Sequence, residues 1–111
     1  MLFTRFLPLV LLGAGVTHMP LLQAEPAIGI GYSDLALDTR AGRATLRQRI
    51  AAAAQSFCAA HGNEMTPAAS RYDPYYCPDM MRSAFMAEMP GEVRRAYSLA
   101  RREAGISGRR L

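Results

Sequence analysis

Residues 32–58, YSDLALDTRAGRATLRQRIAAAAQSFC, decide the fold. They pass from an alternating extended entry, Leu35 and Leu37, into one long Ala- and Arg-rich helix. Asp38 and Thr39 supply its start, since either side chain can cap the free N–H groups of a first turn. Gly42, Leu46, Ile50, Ala53 and Phe57 recur at spacings of three and four, which puts them on one face. Gly42 and the alanines on that face let another element approach closely. Arg40, Arg43 and Arg47 form a separate stripe. The pattern predicts a helix over residues 39–60, closed by His61-Gly62, with Gly62 past the C-terminus in the left-handed conformation.

Working outward toward the N-terminus, residues 27–32 (AIGIGY) alternate Ile28, Ile30 and Tyr32 on one side with small residues on the other. That is strand period, and a short extended or β segment is expected there. No second strand is evident in the chain, so the segment is expected to pair outside its own fold. A second copy or an envelope protein would be the partner, with Ile28, Ile30 and Tyr32 as specificity residues. Upstream, Arg5, the apolar run 6–16 and Leu22-Gln23-Ala24 read as a signal helix cleaved near Ala24. A spanning helix needs about 20 apolar residues, and this run is nearer half that.

On that reading residues 1–24 are a signal peptide, residues 25–105 a single helical domain and residues 106–111 a frayed tail. A domain of this size buries only about 60% of the surface its unfolded chain exposes, so a covalent link matters to it. The chain has two cysteines, Cys58 and Cys77, and export to the periplasm or beyond supplies oxidising conditions in which they can pair. The loop closed by such a bond contributes roughly 3 kcal/mol in the chain-entropy model.

Toward the C-terminus, residues 63–73 read as a loop broken by Asn63, Thr66-Pro67 and Ser70. Pro67 pushes Thr66 out of helical geometry. Cys77-Pro78-Asp79 then opens a second helix over residues 78–88, with Met81, Ala84, Phe85 and Met89 as its apolar stripe. Pro90-Gly91-Glu92 restarts the chain into a third helix carrying Val93, Tyr97, Ala100 and Ala104, followed by Gly105. The expected fold is mainly α: signal helix, short extended segment, a disulfide-linked helical hairpin and a third C-terminal helix.

Within the entry and long helix, Tyr32, Asp34, Leu35, Leu37, Ala41-Gly42, Leu46, Arg49-Ile50, Ala53-Ala54 and Cys58 resemble the UrcA family of small exported bacterial proteins. Cys77 through Ala84 fits the second cysteine and helix of that pattern. The resemblance covers about residues 28–87. Met- and Tyr-rich surroundings at Cys77 and the Arg-rich third helix depart from it. It implies an envelope or secreted location and a two-cysteine helical domain, and it implies no reaction.

Several constellations bear on function. Cys58 and His61, three apart on a helix, are neighbours and could form a thiolate–imidazole nucleophile, although nothing identifiable orients the imidazole. Cys58, His61, Cys77 and Asp79 make a conceivable four-ligand metal set, at a spacing that matches no standard zinc pattern. Met65, Met80, Met81, Met86 and Met89 could suit a soft metal, but methionine also fills small cores. Tyr72, Tyr75 and Tyr76 are expected to pack over the disulfide.

All basic side chains are Arg; without Arg5, twelve stand against nine acids, a net charge of +3. That balance could favour an anionic surface, although Arg94, Arg95, Arg101 and Arg102 read more simply as a solvated face. Export argues against nucleic acid. No phosphate loop, paired carboxylates or Ser–His–Asp set appears, and no cofactor is expected. The sequence thus points to an exported, non-enzymatic binding or envelope-stress accessory protein, with a metal-binding or metal-buffering role as the alternative.

Overall fold

A computed structural model describes residues 29–111. The expected signal segment, residues 1–24, and Ile28 lie outside the described residues. Within them the chain forms three α-helices, α1 (Arg40–Met65), α2 (Tyr76–Glu88) and α3 (Gly91–Glu103), with a 3₁₀ turn at Ala68–Ser70 and no strand.

The first turn of α1 is built by Thr39, which holds an extended conformation (φ −102°, ψ 148°). Its hydroxyl accepts the Gly42 N–H at 3.0 Å and donates to the Ala36 carbonyl at 2.7 Å. That carbonyl also accepts the Thr39 N–H at 3.1 Å, so the entry segment folds back over the helix it starts. Gly42 makes this approach possible, because a Cβ there would lie 2.0 Å from the Ala36 oxygen. The close neighbour admitted by this glycine is therefore the chain's own backbone.

Three differences from the sequence reading concern element ends. Helix α1 runs on to Met65 rather than closing at Gly62. It stops where Thr66 turns extended (φ −95°, ψ 118°) ahead of Pro67, so the proline sets the end and Gly62 is an ordinary helical residue. Helix α2 starts at Tyr76, ahead of Pro78, after the Asp73 carboxylate accepts the Tyr75 N–H at 3.0 Å. Pro78 is tolerated there because first-turn N–H groups have no intrahelical partner. The tail expected to fray is held instead. Arg101 donates to the carbonyls of Gly108 and Arg110, Arg109 pairs with Asp73 at 2.8 Å, and Leu111 packs against the core.

Helix α3 ends as its sequence foretells. Gly105 takes φ +69°, and the N–H groups of Gly105 and Ile106 reach back to the carbonyls of Arg102 and Arg101.

Helix α1 packs against both α2 and α3. Leu46 and Ile50 are fully buried, and Ala54 continues their face. Met81 and Phe85 of α2, Met89 at the joint, and Val93, Ala96 and Tyr97 of α3 complete the core. Of the expected strand, residues 29–32 are described. Ile30 and Tyr32 lie against this core with Leu35 and Leu37, and Arg49 donates to the Gly31 carbonyl at 2.9 Å. These two side chains are thus partly buried against their own core.

Two arginines of the α1 stripe reach the same carboxylate of α3. Arg43 meets Glu103 of α3 at 2.5 Å, and Arg40 reaches the other carboxylate oxygen at 3.3 Å. The bond from Arg43 holds the Glu103 carboxyl below the usual carboxylate range. Arg49 grips Asp34 through two bonds of 2.7 and 2.8 Å, which lowers that carboxyl to about 2 and latches the entry segment to α1.

Candidate functional site

Cys58 and Cys77 form a disulfide, with an S–S distance of 2.07 Å and Cα atoms 5.9 Å apart. It joins the later half of α1 to the first turn of α2. The connector between those helices and the bond border a groove of about 520 Å³. Both cysteines line it, with Gly62 and Asn63 from α1 and Arg71 and Asp73 from the connector. The groove is more polar than apolar in its chemistry, with a guanidinium, a carboxylate and an amide in its walls.

Each group has a local cause. The α1 periodicity that buries Ala54 leaves Cys58 half-buried and Gly62 one turn beyond it. Asp73 faces two donors: the Arg109 guanidinium and the Tyr75 N–H hold its carboxyl below the ordinary range. Asp79, on the first turn of α2, pairs with Arg82 and lies 3.4 Å from Arg109. Arg71 is exposed and makes no ion pair among the described residues.

The residues singled out in the sequence separate into two groups. Cys58 and Cys77 come together as a covalent pair. His61 stands on the surface, its ring 5.0 Å from Phe57 and its Nδ1 3.6 Å from the Glu64 carboxylate. With the sulfur of Cys58 bonded to Cys77, no thiolate is present for a Cys58–His61 nucleophile. The same bond takes both sulfurs from the set Cys58, His61, Cys77 and Asp79, and Asp79 is turned to arginines. Among the described residues no three His, Cys, Asp or Glu side chains converge on a metal-sized site.

Met81 and Met89 are core, as their spacing indicates, whereas Met65 and Met80 are about half exposed. Tyr72 and Tyr75 differ from expectation, whereas Tyr76 is half-buried. Tyr72 is 92% exposed and Tyr75 45%, so neither packs over the disulfide. Proline and aspartate turns carry this segment outward and leave the rings at the surface. The sequence reading did not identify Arg71, Asp73 and Asn63 as groove walls. The usable signal was Gly62, four residues after Cys58 and therefore on the same helical face.

No described helix is long and apolar enough to cross a membrane. In comparisons with known proteins the chain matches no family model, no curated relative and no solved structure.

Proposed function

We propose that this chain is an exported protein of the UrcA type, whose mature domain works by binding in an oxidising envelope compartment or outside the cell, without turnover. The observation that carries the reading is the Cys58–Cys77 bond, which uses both cysteines of the chain and closes a helical domain too small to rely on its core alone. The signal-like residues 1–24 and the residues of the family resemblance point the same way. The binding face is the groove beside the disulfide. Arg71 and Asn63 can donate hydrogen bonds there, and Tyr72 and Tyr75 nearby in sequence present exposed rings suited to partner contact. The partner class is an envelope protein. A metal-buffering role needs the two sulfurs as thiolates, and the disulfide consumes both.

The test is to express the full chain in a bacterial host, fractionate without reductant, and take intact masses and thiol counts. The expected result is an envelope or secreted species beginning near Glu25 with no free thiol. Its melting temperature should fall on reduction by an amount corresponding to roughly 3 kcal/mol. A full-length cytoplasmic chain with two free thiols overturns the reading.

A further inference from the structure

We infer that the Cys58–Cys77 disulfide is exchangeable in the folded protein, and that the groove is where a thiol of a partner protein attacks it. The inference goes beyond the binding role and rests on the disulfide and its surroundings, independently of compartment or family.

Gly62 is the telling residue. A glycine within a helix costs about 0.5–1 kcal/mol relative to alanine, and Gly62, in the last turn of α1, does not end the helix, so it calls for another reason. Backbone conformation does not supply one, because the positive-φ glycines among the described residues are Gly105 and Gly108. Crowding does not supply one either: a Cβ at Gly62 would meet Cys58 Cβ at 3.9 Å and Cys77 Sγ at 4.0 Å, ordinary contact distances. Gly42, where a Cβ would strike a carbonyl, shows what a sterically required glycine looks like in the same helix. What the bare position at Gly62 does is keep the groove open beside the bond, where Cys58 is half-buried while Cys77 itself is buried in the core. Both cysteines line that groove, and Cys58 is only half-buried, so the bond is reached without unfolding.

The surroundings also give the exchange a direction. Cys77 is the second residue of α2, where the helix N-terminus favours negative charge, so Cys77 is the better thiolate leaving group. Attack therefore falls on Cys58. Arg71 in the groove wall supplies a positive charge for an incoming thiolate, while the Asp73 carboxylate is engaged by Arg109 and the Tyr75 N–H. The partner's thiolate forms a bond to Cys58 Sγ as the Cys58–Cys77 bond breaks. Cys77 leaves with the electron pair and is protonated from solvent. A second partner thiol, as its thiolate, then attacks the partner sulfur of the mixed disulfide, forming the partner's own disulfide and releasing Cys58 as thiolate. One partner dithiol is oxidised and this disulfide is reduced, with two electrons and two protons transferred and no further oxidant needed.

The experiment uses the full chain, oxidised and purified without reductant, with reduced glutathione as the probe, following thiol release and mapping the adduct by mass. The expected rate is proportional to glutathione concentration and flat across urea concentrations below the unfolding transition, with the first adduct on Cys58. Gly62→Leu should slow the reaction about tenfold or more by filling the groove through which the thiol reaches Cys58. Gly62→Ala, which fits without strain, should slow it less and leave the melting temperature equal or higher. A rate independent of glutathione, or one rising with urea in step with global unfolding, overturns the inference. So does an unchanged rate in both Gly62 variants, and a first adduct on Cys77 overturns the direction.

Discussion

Gly42→Ala offers a severe test of the packing argument, because substituting alanine for glycine in a helix is ordinarily stabilising. The added Cβ would lie 2.0 Å from the Ala36 oxygen, 2.7 Å from its carbonyl carbon and 3.0 Å from Thr39 Oγ1. The nearest atoms are backbone, so no side chain can swing aside. Relief requires the 36–39 turn to move outward, which breaks the Thr39 cap and shifts Leu35 and Leu37 from the core they rest against. Loss of the cap costs about 1 kcal/mol. The forced displacement costs about 2 kcal/mol, the middle of the range for overpacking. Alanine's better helix propensity returns up to about 1 kcal/mol. The net loss is about 2 kcal/mol, which lowers the melting temperature of a domain this size by about 10 °C. Thermal unfolding followed by circular dichroism at 222 nm reads this directly, with Gly62→Ala as the control for the same chemical change in the same helix. Gly62→Ala should melt at or above the parent, and Gly42→Ala below it. A Gly42→Ala protein that melts at or above the parent would refute the account of the α1 entry.

Other perturbations address the ion pairs and the tail. Asp34 is lowered to about 2 from an ordinary 3.8 by Arg49, so its stabilising contribution is complete above about pH 4 and lost as pH falls toward 2. An NMR titration should place its midpoint near 2, and Asp34→Asn should remove that part of the acid sensitivity; a midpoint near 3.8 would count against the latch. Glu103→Gln leaves Arg43, 15% exposed, without its carboxylate and should lower the melting temperature. The same change in an Arg43→Met background should do much less, and equal effects in both backgrounds would dissolve the proposed pair. Arg109→Ala should speed amide exchange across residues 106–111 and return Asp73 toward its ordinary pKa while the three helices melt almost unchanged.

Local signals in the sequence carried the helices and the bond between them. Thr39, Leu46, Ile50, Pro90 and Gly105 each act within a turn or two of themselves, and each does in the structure what its chemistry suggests. Gly62 misled because glycine ends a helix only where the chain must leave the right-handed region, and here Pro67 forces that departure five residues later. The tail was illegible for a different reason. Arg109 and Asp73 are 36 residues apart, and Arg43 and Glu103 are 60 apart, so no periodicity relates either pair. The groove combines both problems, since its walls come from a helix and from a connector whose path is set by turns. Local patterning names Cys58 and Gly62, but only the folded path of residues 66–76 brings Arg71 and Asp73 beside them.

The disulfide encloses only the connector and the helix ends it joins; the entry segment, α3 and the tail lie outside the covalent ring. The ring's most accessible points include Arg71 and the 92%-exposed Tyr72. A protease cutting after Arg71 would therefore produce a two-chain molecule that migrates as one species and keeps its α1–α2 packing. The nick stays silent until a thiol opens the bond, whereupon a piece carrying α1 and a piece carrying α2 and α3 are held only by noncovalent contact. In such a nicked molecule, loss of the bond converts a change of oxidation state into a change of subunit composition.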